Sequence, residues 1–278
     1  MNEERTIDMT YPIHTCLFTA LQFHGRELLS LAMSNKWLWL EHHLSVSFPE
    51  FIQGYQQSNV TISFEIKYIQ PFTFFDANNF NASVVKVRLR QKDSIFEIHH
   101  NFTANHRVFA TVVLFWRILS LSGDDALTAV PGNLSEQLRQ RFLPEEIDSS
   151  NIIRAAPKLL SKIEAEGQFI TEYSHLFTLY RYQCEVADQW SFIELPTFAS
   201  AGRERLIISL DDDPAELSRT MGKPIKSIVA KLSCPFFLFD EGRVRTRAYL
   251  LNKQPIFVHH VFNVSRADSL AAIVIESF

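Results

Sequence analysis

The chain has 278 residues, of which 46% are hydrophobic and 24 are phenylalanine, so it can bury a substantial core and is not intrinsically disordered. A formal net charge of -4 argues against nucleic acid as a main partner, and no basic segment with interleaved aromatic residues points to phosphate binding. The three cysteines, Cys16, Cys184 and Cys234, are widely spaced, which is typical of free thiols and not of a disulfide scaffold or a zinc site.

Signals for export or membrane insertion are absent from the sequence pattern. The acidic first residues lead into no apolar run, so we expect no secretory signal. The longest apolar stretches, near residues 111–116 and 225–232, are too short to span a bilayer. The sequence therefore predicts a soluble cytoplasmic protein.

A helix followed by several β-strands is predicted over the first 135 residues. Leucines with helical spacing run before and through residues 25–29. Residues 60–69 alternate between apolar and polar side chains, which is typical of a half-buried strand. Three more β-rich runs cover residues 82–90, 94–103 and 107–119. This order of elements predicts an α+β module.

A connecting segment comes next, because no strand pattern runs between residues 120 and 172. Such a length is unusual for a loop, and the amphipathic stretch at 157–166 indicates that part of it is helical. We therefore predict a first unit at 1–135, a partly helical linker at 136–172 and a second unit at 173–278.

The second half repeats the first. A helical pattern around residues 198–207 precedes strand patterns at 226–233, 243–252, 254–264 and 270–277. Three short motifs also recur in the same order: Gly-Arg-Glu at 25–27 and 202–204, a Pro-Phe segment ending in Asp at 71–76 and 235–240, and His-His at 99–100 and 259–260. The duplication predicts two curved antiparallel sheets, each wrapped around a central helix and paired edge to edge.

The start of the second helix resembles the hotdog superfamily of acyl-thioester enzymes. In residues 182–198 a strand runs into Asp188, a short loop and a helix that opens with an aromatic residue, which is similar to 4-hydroxybenzoyl-CoA-type thioesterases. Residues 60–74, 99–117 and 130–134 resemble the sheet and the closing Pro segment of that family. The tandem arrangement is similar to the double-hotdog acyltransferase/decarboxylases of polyketide pathways.

The resemblance implies an enzyme that acts on acyl-CoA or acyl-carrier-protein thioesters, by hydrolysis or acyl transfer and with decarboxylation as an option, in polyketide or specialised lipid synthesis. It implies no cofactor, because CoA or phosphopantetheine carries the substrate. It also implies a pseudo-dimer within one chain, as a monomer or a homodimer. Two alternatives stay open: a dehydratase or isomerase of β-hydroxyacyl thioesters, and a non-catalytic acyl-binding or docking module.

Asp188 is the leading catalytic candidate. The resemblance places its carboxylate beside the mouth of an acyl-binding tunnel, as the base for a water molecule or as the nucleophile. An Asp at this point also suits a cap on the first helical turn, and the two roles are compatible. Trp190 and Ser191 are predicted to contact the substrate, although Ser191 stands where hotdog thioesterases usually have glycine.

Tyr11 and His14 are predicted as the counterparts of Asp188 and Ser191, because the two Gly-Arg-Glu motifs lie 177 residues apart (202 − 25). His14 would act as acid or base, with Tyr11 assisting. The alternative is that the first copy has lost its site. Substrate-binding residues are predicted on the same approach: Thr15, Cys16 and Thr19. A lone Cys on an apolar helix is more often part of the core than a nucleophile.

Glu194 is a further catalytic candidate, because a helix carboxylate does acid-base work in hotdog dehydratases and some thioesterases. Glu27 and Glu204 recur in both copies, which favours a structural Arg-Glu pair for these two. The two His-His pairs predict no metal site, since neighbouring residues on a strand point to opposite faces of the sheet. The scarcity of glycine, 8 residues in all, gives no support for a nucleotide-binding loop.

Overall fold

The structure, a computed structural model, describes residues 5–121, 129–152, 154–185, 188–210 and 215–278. A first unit comprises the following elements: β1 (Ile7–Pro12), a 3-10 turn (Thr15–Leu17), α1 (Gly25–Leu44), α2 (Phe48–Gln53), β2 (Gln57–Tyr68), β3 (Asn79–Arg90), β4 (Ile95–Ala104), β5 (Arg107–Leu121) and β6 (Ala129–Pro131). Among the described residues, no helix combines the length and the apolarity that crossing a membrane requires.

A connecting segment and a second unit follow. The connection holds α3 (Glu136–Arg139), a 3-10 turn (Pro144–Glu146), β7 (Ile147–Asp148) and α4 (Ala155–Glu166). The second unit comprises β8 (Gln168–Thr178), 3-10 turns (Arg181–Gln183 and Phe192–Glu194), α5 (Leu195–Ile208), α6 (Ala215–Ser218), a 3-10 turn (Arg219–Gly222), β9 (Ser227–Leu232), β10 (Glu241–Leu251), β11 (Gln254–Asn263), a 3-10 turn (Val264–Arg266) and β12 (Ser269–Ser277). The strand β8 begins five residues before the start predicted for the second unit (173 − 168).

Tight turns explain why neighbouring strands pair as hairpins. Asn105 and His106 join β4 to β5 with φ of 48° and 61°, and Asn252 and Lys253 join β10 to β11 with φ of 51° and 64°. Two consecutive residues with positive φ match the right-handed twist of the strands, and Asn tolerates this conformation well.

The strands of the described residues form one sheet of 12 strands, in the order β1-β3-β4-β5-β2-β9-β12-β11-β10-β8, with β6 beside β5 and β7 beside β3. The order is pseudo-symmetric, because the strands of the second unit follow from the centre outwards in the same succession as those of the first. At the centre, β2 and β9 pair antiparallel from Ser63–Lys231 to Lys67–Ser227. Each unit wraps its own half of the sheet around one central helix. The predicted α+β architecture, with two curved sheets joined edge to edge, is confirmed.

The helices cover both faces of the continuous sheet. Leu28 and Leu29 of α1 and Leu195 and Phe198 of α5 are buried in one apolar core that runs through both units. On the outer face of the second unit, Ile163 of α4 is buried in a separate apolar cluster with residues of β9 to β12. Part of the connecting segment therefore packs against the second half of the sheet.

One of the three repeated motifs occupies the same place in both units. The Asp76 carboxylate accepts a hydrogen bond from the Thr73 amide at 2.6 Å, and the Asp240 carboxylate accepts one from the Phe237 amide at 2.9 Å. Each Asp thereby closes a tight turn between the central strand and the next one.

For the other two motifs, Gly-Arg-Glu and His-His, the sequence prediction pairs residues that do not occupy the same position in the two units. Gly25 is the first residue of α1, whereas Gly202 lies in the middle of α5. In the His-His pairs, His100 of β4 lies near Lys36 of α1, but His259 and not His260 lies against α5, beside Gly202. The pairs therefore match out of register by one residue. The likeness of short motifs does not reveal such shifts, because one residue along a strand changes the face that a side chain occupies.

Lys36 of α1 is a buried amine without a carboxylate in hydrogen-bonding contact among the described residues. Its Nζ donates to Asn59 Oδ1 at 3.0 Å and lies 3.0 Å from the ring centroid of Trp116. Burial holds the pKa of Lys36 well below its usual value. Burial also lowers the pKa of the neighbouring His100 to about 3. The core of the first unit therefore disfavours positive charge.

Lys36→Met is expected to stabilise the protein by about 1–3 kcal/mol near pH 7, since it removes the desolvation of an amine. The unfolded chain binds the Lys36 proton more tightly than the folded protein, so this gain is expected to shrink as the pH rises towards about 10.4. Urea unfolding at several pH values measures it. The exposed Lys158→Met is the control, and a Lys36→Met variant less stable at every pH would contradict the prediction.

Candidate functional site

The loops that precede the two central helices are built alike. After β1 the His24 amide donates to the Leu17 carbonyl at 2.8 Å, and after β8 the Ser191 amide donates to the Gln183 carbonyl at 2.8 Å. Isolated bridges, Phe18–Phe23 in one loop and Cys184–Trp190 in the other, frame the same turn. His24 is therefore the counterpart of Ser191, an offset of 167 residues (191 − 24).

The predicted equivalence of Tyr11 and His14 with Asp188 and Ser191 is consequently wrong. Tyr11 lies on β1, paired with Phe80 of β3, and His14 precedes the first 3-10 turn. The error has a simple cause: the offset of 177 came from the Gly-Arg-Glu motifs, which occupy different positions on the two helices. With the corrected offset, Glu27 of α1 and Glu194 before α5 become counterparts (194 − 27 = 167).

A cavity of about 480 Å³ opens between the two units. The first unit lines it with the loop of residues 19–25 and with Tyr68 of β2. The second unit lines it with one side of α5, from Pro196 to Glu204, and with residues 220–228. A volume of this size suits a small organic group, and a cleft between two units is a common place for a ligand site.

The start of α1 packs closely against the second unit because its first residue is glycine. A Cβ atom on Gly25 would lie 3.1 Å from Ile228 Cδ1 and 3.4 Å from the Tyr68 hydroxyl. The counterpart of Gly25 is Phe192, whose ring centroid lies 6.3 Å from that of Phe64. Glycine thus allows close packing at the start of α1, whereas the second unit has a phenyl ring at the corresponding position.

His24 lies on the cavity wall at the start of α1, beside three charged groups. The Arg26 guanidinium donates to Glu194 Oε1 and to Glu27 Oε1, each at 2.7 Å. Burial lowers the pKa of His24, while Glu27 and Glu194 raise it and Arg26 lowers it. The result is an imidazole that is neutral near pH 7 at the positive end of a helix.

A buried charged network holds Arg203, a residue of the cavity wall. Arg203 of α5 donates to Glu276 of β12, and both side chains are almost fully buried. His259 Nε2 lies 3.4 Å from Glu276, and its Nδ1 is 2.9 Å from the Thr246 hydroxyl. Burial alone would raise the pKa of Glu276, but Arg203 and His259 hold it below its usual value. The network fixes Arg203 against the cavity wall.

Several residues that the sequence predicts for the site lie outside this cavity. Asp188 has φ of 53° and sits in an exposed turn, where its carboxylate accepts from Arg181 at 2.8 Å. It does not cap α5, whose N-cap residue is Glu194. His14, Thr15 and Cys16 are exposed. Their predicted roles stay predictions.

The remaining predicted residues are divided between core, interface and cavity. The Tyr11 hydroxyl donates to Asn35 Oδ1 at 2.7 Å, and Trp190 packs on Phe236 with ring centroids 4.7 Å apart. Ser191 is buried, and Glu194 is held by Arg26 where the two units meet. Thr19 lines the cavity.

The cavity residues that the sequence does not predict include His24, Gln22 and Tyr68. The signal for His24 was present, because it directly precedes Gly25 at the start of a predicted helix. Gln22 and Tyr68 carry no motif, and the folded loop and strand bring them together. Within the described ranges, no group of three or more His, Cys, Asp or Glu side chains is placed to hold a metal ion.

Comparison with known proteins supports the fold. Neither a protein-family model nor a curated protein matches the chain. A protein of Lactobacillus plantarum described as an oleoyl thioesterase superposes with a TM-score of 0.73 at 9% identity, over 99% of this chain and 96% of its own. A 12:0-ACP thioesterase of Umbellularia californica gives 0.67 at 7% identity, over 98% and 93%.

An acyl-ACP thioesterase of Bacteroides thetaiotaomicron superposes with a TM-score of 0.61 at 10% identity, over 99% of this chain and 98% of its own. All three matches extend over both units. The chain therefore has the double-hotdog fold, as the sequence predicts.

Glu276→Gln is expected to destabilise the protein by about 3–5 kcal/mol, because it leaves the Arg203 cation buried without its carboxylate. Glu204→Gln is the matched control: Glu204 lies 3.7 Å from the same guanidinium but is exposed, so a change within about 0.5 kcal/mol is expected. Chemical denaturation measures both. Equal losses for the two variants would contradict the assignment of Glu276 as the main partner of Arg203.

Proposed function

We propose that the protein hydrolyses acyl thioesters in the cavity between its two units. The observation that carries this proposal is the placement of His24, a neutral imidazole beside the first turn of α1 on the wall of that cavity. Thioesterase activity named for three proteins of the same fold supports the choice of substrate. We place the acyl group on CoA or on an acyl carrier protein, with no further cofactor.

The start of α1 supplies the electrostatic part of the reaction. His24 is its N-cap residue, but its side chain makes no capping hydrogen bond. The amides of the first turn have no acceptor within the helix, and they receive none from the His24 side chain either. Together with the helix dipole, they suit the carbonyl oxygen of a thioester. Charge that develops on this oxygen during attack is stabilised there.

His24 supplies the base. In the proposed reaction its neutral imidazole takes a proton from water while the water oxygen bonds to the thioester carbon. The tetrahedral intermediate then expels the thiolate, which receives the proton from the imidazolium. The products are a free acid and a thiol. Arg26 holds Glu27 and Glu194 beside His24, so that the imidazolium is stabilised while it lasts.

Mass spectrometry of acyl-CoA and acyl-carrier-protein substrates after incubation tests the reaction type. We expect release of the free acid and a carrier with a free thiol. An acyl group moved to another acceptor, loss of carbon dioxide, or loss of water to give an enoyl thioester would each assign the cavity to a different reaction. Binding without any turnover would contradict enzymatic function.

His24→Gln is expected to lower kcat/KM by about 10²–10⁴-fold, the usual contribution of a general base. His14→Gln and Asp188→Asn are the matched controls, because both residues are exposed and lie outside the cavity; each is expected to change kcat/KM less than about twofold. Steady-state hydrolysis with thiol detection measures all three. A larger loss from Asp188→Asn than from His24→Gln would move the chemistry to the loop of the second unit.

The pH profile of kcat/KM is expected to fall on the acid side with a midpoint below the usual histidine value of about 6.5, because burial lowers the pKa of His24. Glu27→Gln removes a carboxylate that raises this pKa, so it is expected to shift the midpoint to still lower pH. Rates measured from about pH 4 to 9 check both statements. An acid limb that persists unchanged in His24→Gln would belong to another group.

A further inference from the structure

Gln22, one of the residues that line the cavity, carries a buried hydrogen-bond acceptor without a partner among the described residues. Gln22 lines the cavity and is only 6% exposed. Its Oε1 atom is buried and accepts no hydrogen bond from any described residue. A buried carboxamide oxygen left without a donor is costly, so such atoms are rarely found unless a ligand or solvent completes them.

The orientation of this carboxamide follows from its neighbour Tyr68. The Tyr68 hydroxyl donates its hydrogen to the Phe23 carbonyl at 3.0 Å, so its oxygen can only accept from Gln22. Gln22 hydrogen-bonds to Tyr68, and because its Oε1 atom has no partner among the described residues, that bond comes from the Gln22 amide nitrogen. The amide nitrogen of Gln22 therefore faces Tyr68, and Oε1 faces away from it.

A second unpaired atom of opposite kind lies on the other wall. Arg203 also lines the cavity, and its Nε is buried without an acceptor among the described residues, although its terminal nitrogens bind Glu276 and Ser200. One wall thus offers an acceptor and the other a donor. An unbranched hydrocarbon chain would satisfy neither of them.

We infer that the ligand of this cavity brings a hydrogen-bond donor to Gln22 Oε1, either a hydroxyl on a short acyl chain or an amide N–H of the pantetheine arm. The inference rests on the proposed function for the thioester class of the ligand. It adds that a site built around a buried acceptor discriminates against a ligand that lacks the donor.

Calorimetry with two stable thioethers tests the inference: S-butyl-CoA and S-(3-hydroxybutyl)-CoA, each with the wild-type protein, Gln22→Met and Gln57→Met. Gln57 is the matched control, because it is 4% exposed and outside the cavity, and both of its amide atoms are hydrogen-bonded, to Asn133 and Ser135. Thermal unfolding of the variants confirms that each is folded at the temperature of the titration.

If the donor is the acyl hydroxyl, the wild type binds the hydroxylated ligand about tenfold more tightly or better, and Gln22→Met abolishes this difference. If it is the pantetheine amide, both ligands bind the wild type equally and Gln22→Met weakens both about tenfold. Gln57→Met leaves the wild-type pattern intact in either case. Unchanged binding in Gln22→Met, or no binding of either ligand to the wild type, overturns the inference.

These titrations need no turnover, so the two proposals fail separately. Failure of the proposed function appears as the absence of hydrolysis of butyryl-CoA and 3-hydroxybutyryl-CoA. Failure of the inference appears as binding of the thioethers that does not depend on Gln22.

Discussion

The antiparallel pairing of β2 with β9 is the interaction on which the rest of the structure depends. Five residue pairs, from Ser63–Lys231 to Lys67–Ser227, join the two halves into one continuous sheet, and the Ser63 hydroxyl adds a hydrogen bond of 2.6 Å to the Ala230 carbonyl. This pairing removes two exposed strand edges. It also brings the starts of α1 and α5 together, so that a cleft between the units can form at all.

The two units are nearly symmetric, but they differ at the starts of their central helices and at the basic residues of those helices. Gly25 allows Ile228 to approach the start of α1 closely, while its counterpart Phe192 packs beside Phe64. The basic residues of the two helices differ as well. Arg203 of α5 pairs with Glu276 of β12, and its counterpart in α1 is Lys36 (203 − 36 = 167). The residue of β5 that corresponds to Glu276 is Leu114, so Lys36 has no carboxylate at that position. The first unit thus has glycine at the start of its helix, and the second unit has the paired buried charges.

The sequence was sufficient to predict the duplication, the α+β class and the edge-to-edge sheets, because alternation and recurring turn residues report directly on strands and their connections. It could not provide the correspondence between the two helix entrances. Gly-Arg-Glu recurs at the first turn of α1 and in the middle of α5, so a local likeness led to the wrong offset, which matched Ser191 with His14 instead of His24. Gln22 and Tyr68 meet only after folding, since 46 residues separate them (68 − 22) and no short motif includes both.

We propose that a thioester binds at the start of α1, between the units, and not beside the exposed Asp188 loop. A crystal structure with a bound S-alkyl-CoA thioether tests this placement most directly. We expect the sulfur within the cavity, close to the His24 imidazole and the first-turn amides of α1, with the alkyl group between Tyr68 and α5. Density for the sulfur beside Asp188, with the cavity between the units empty, would contradict it.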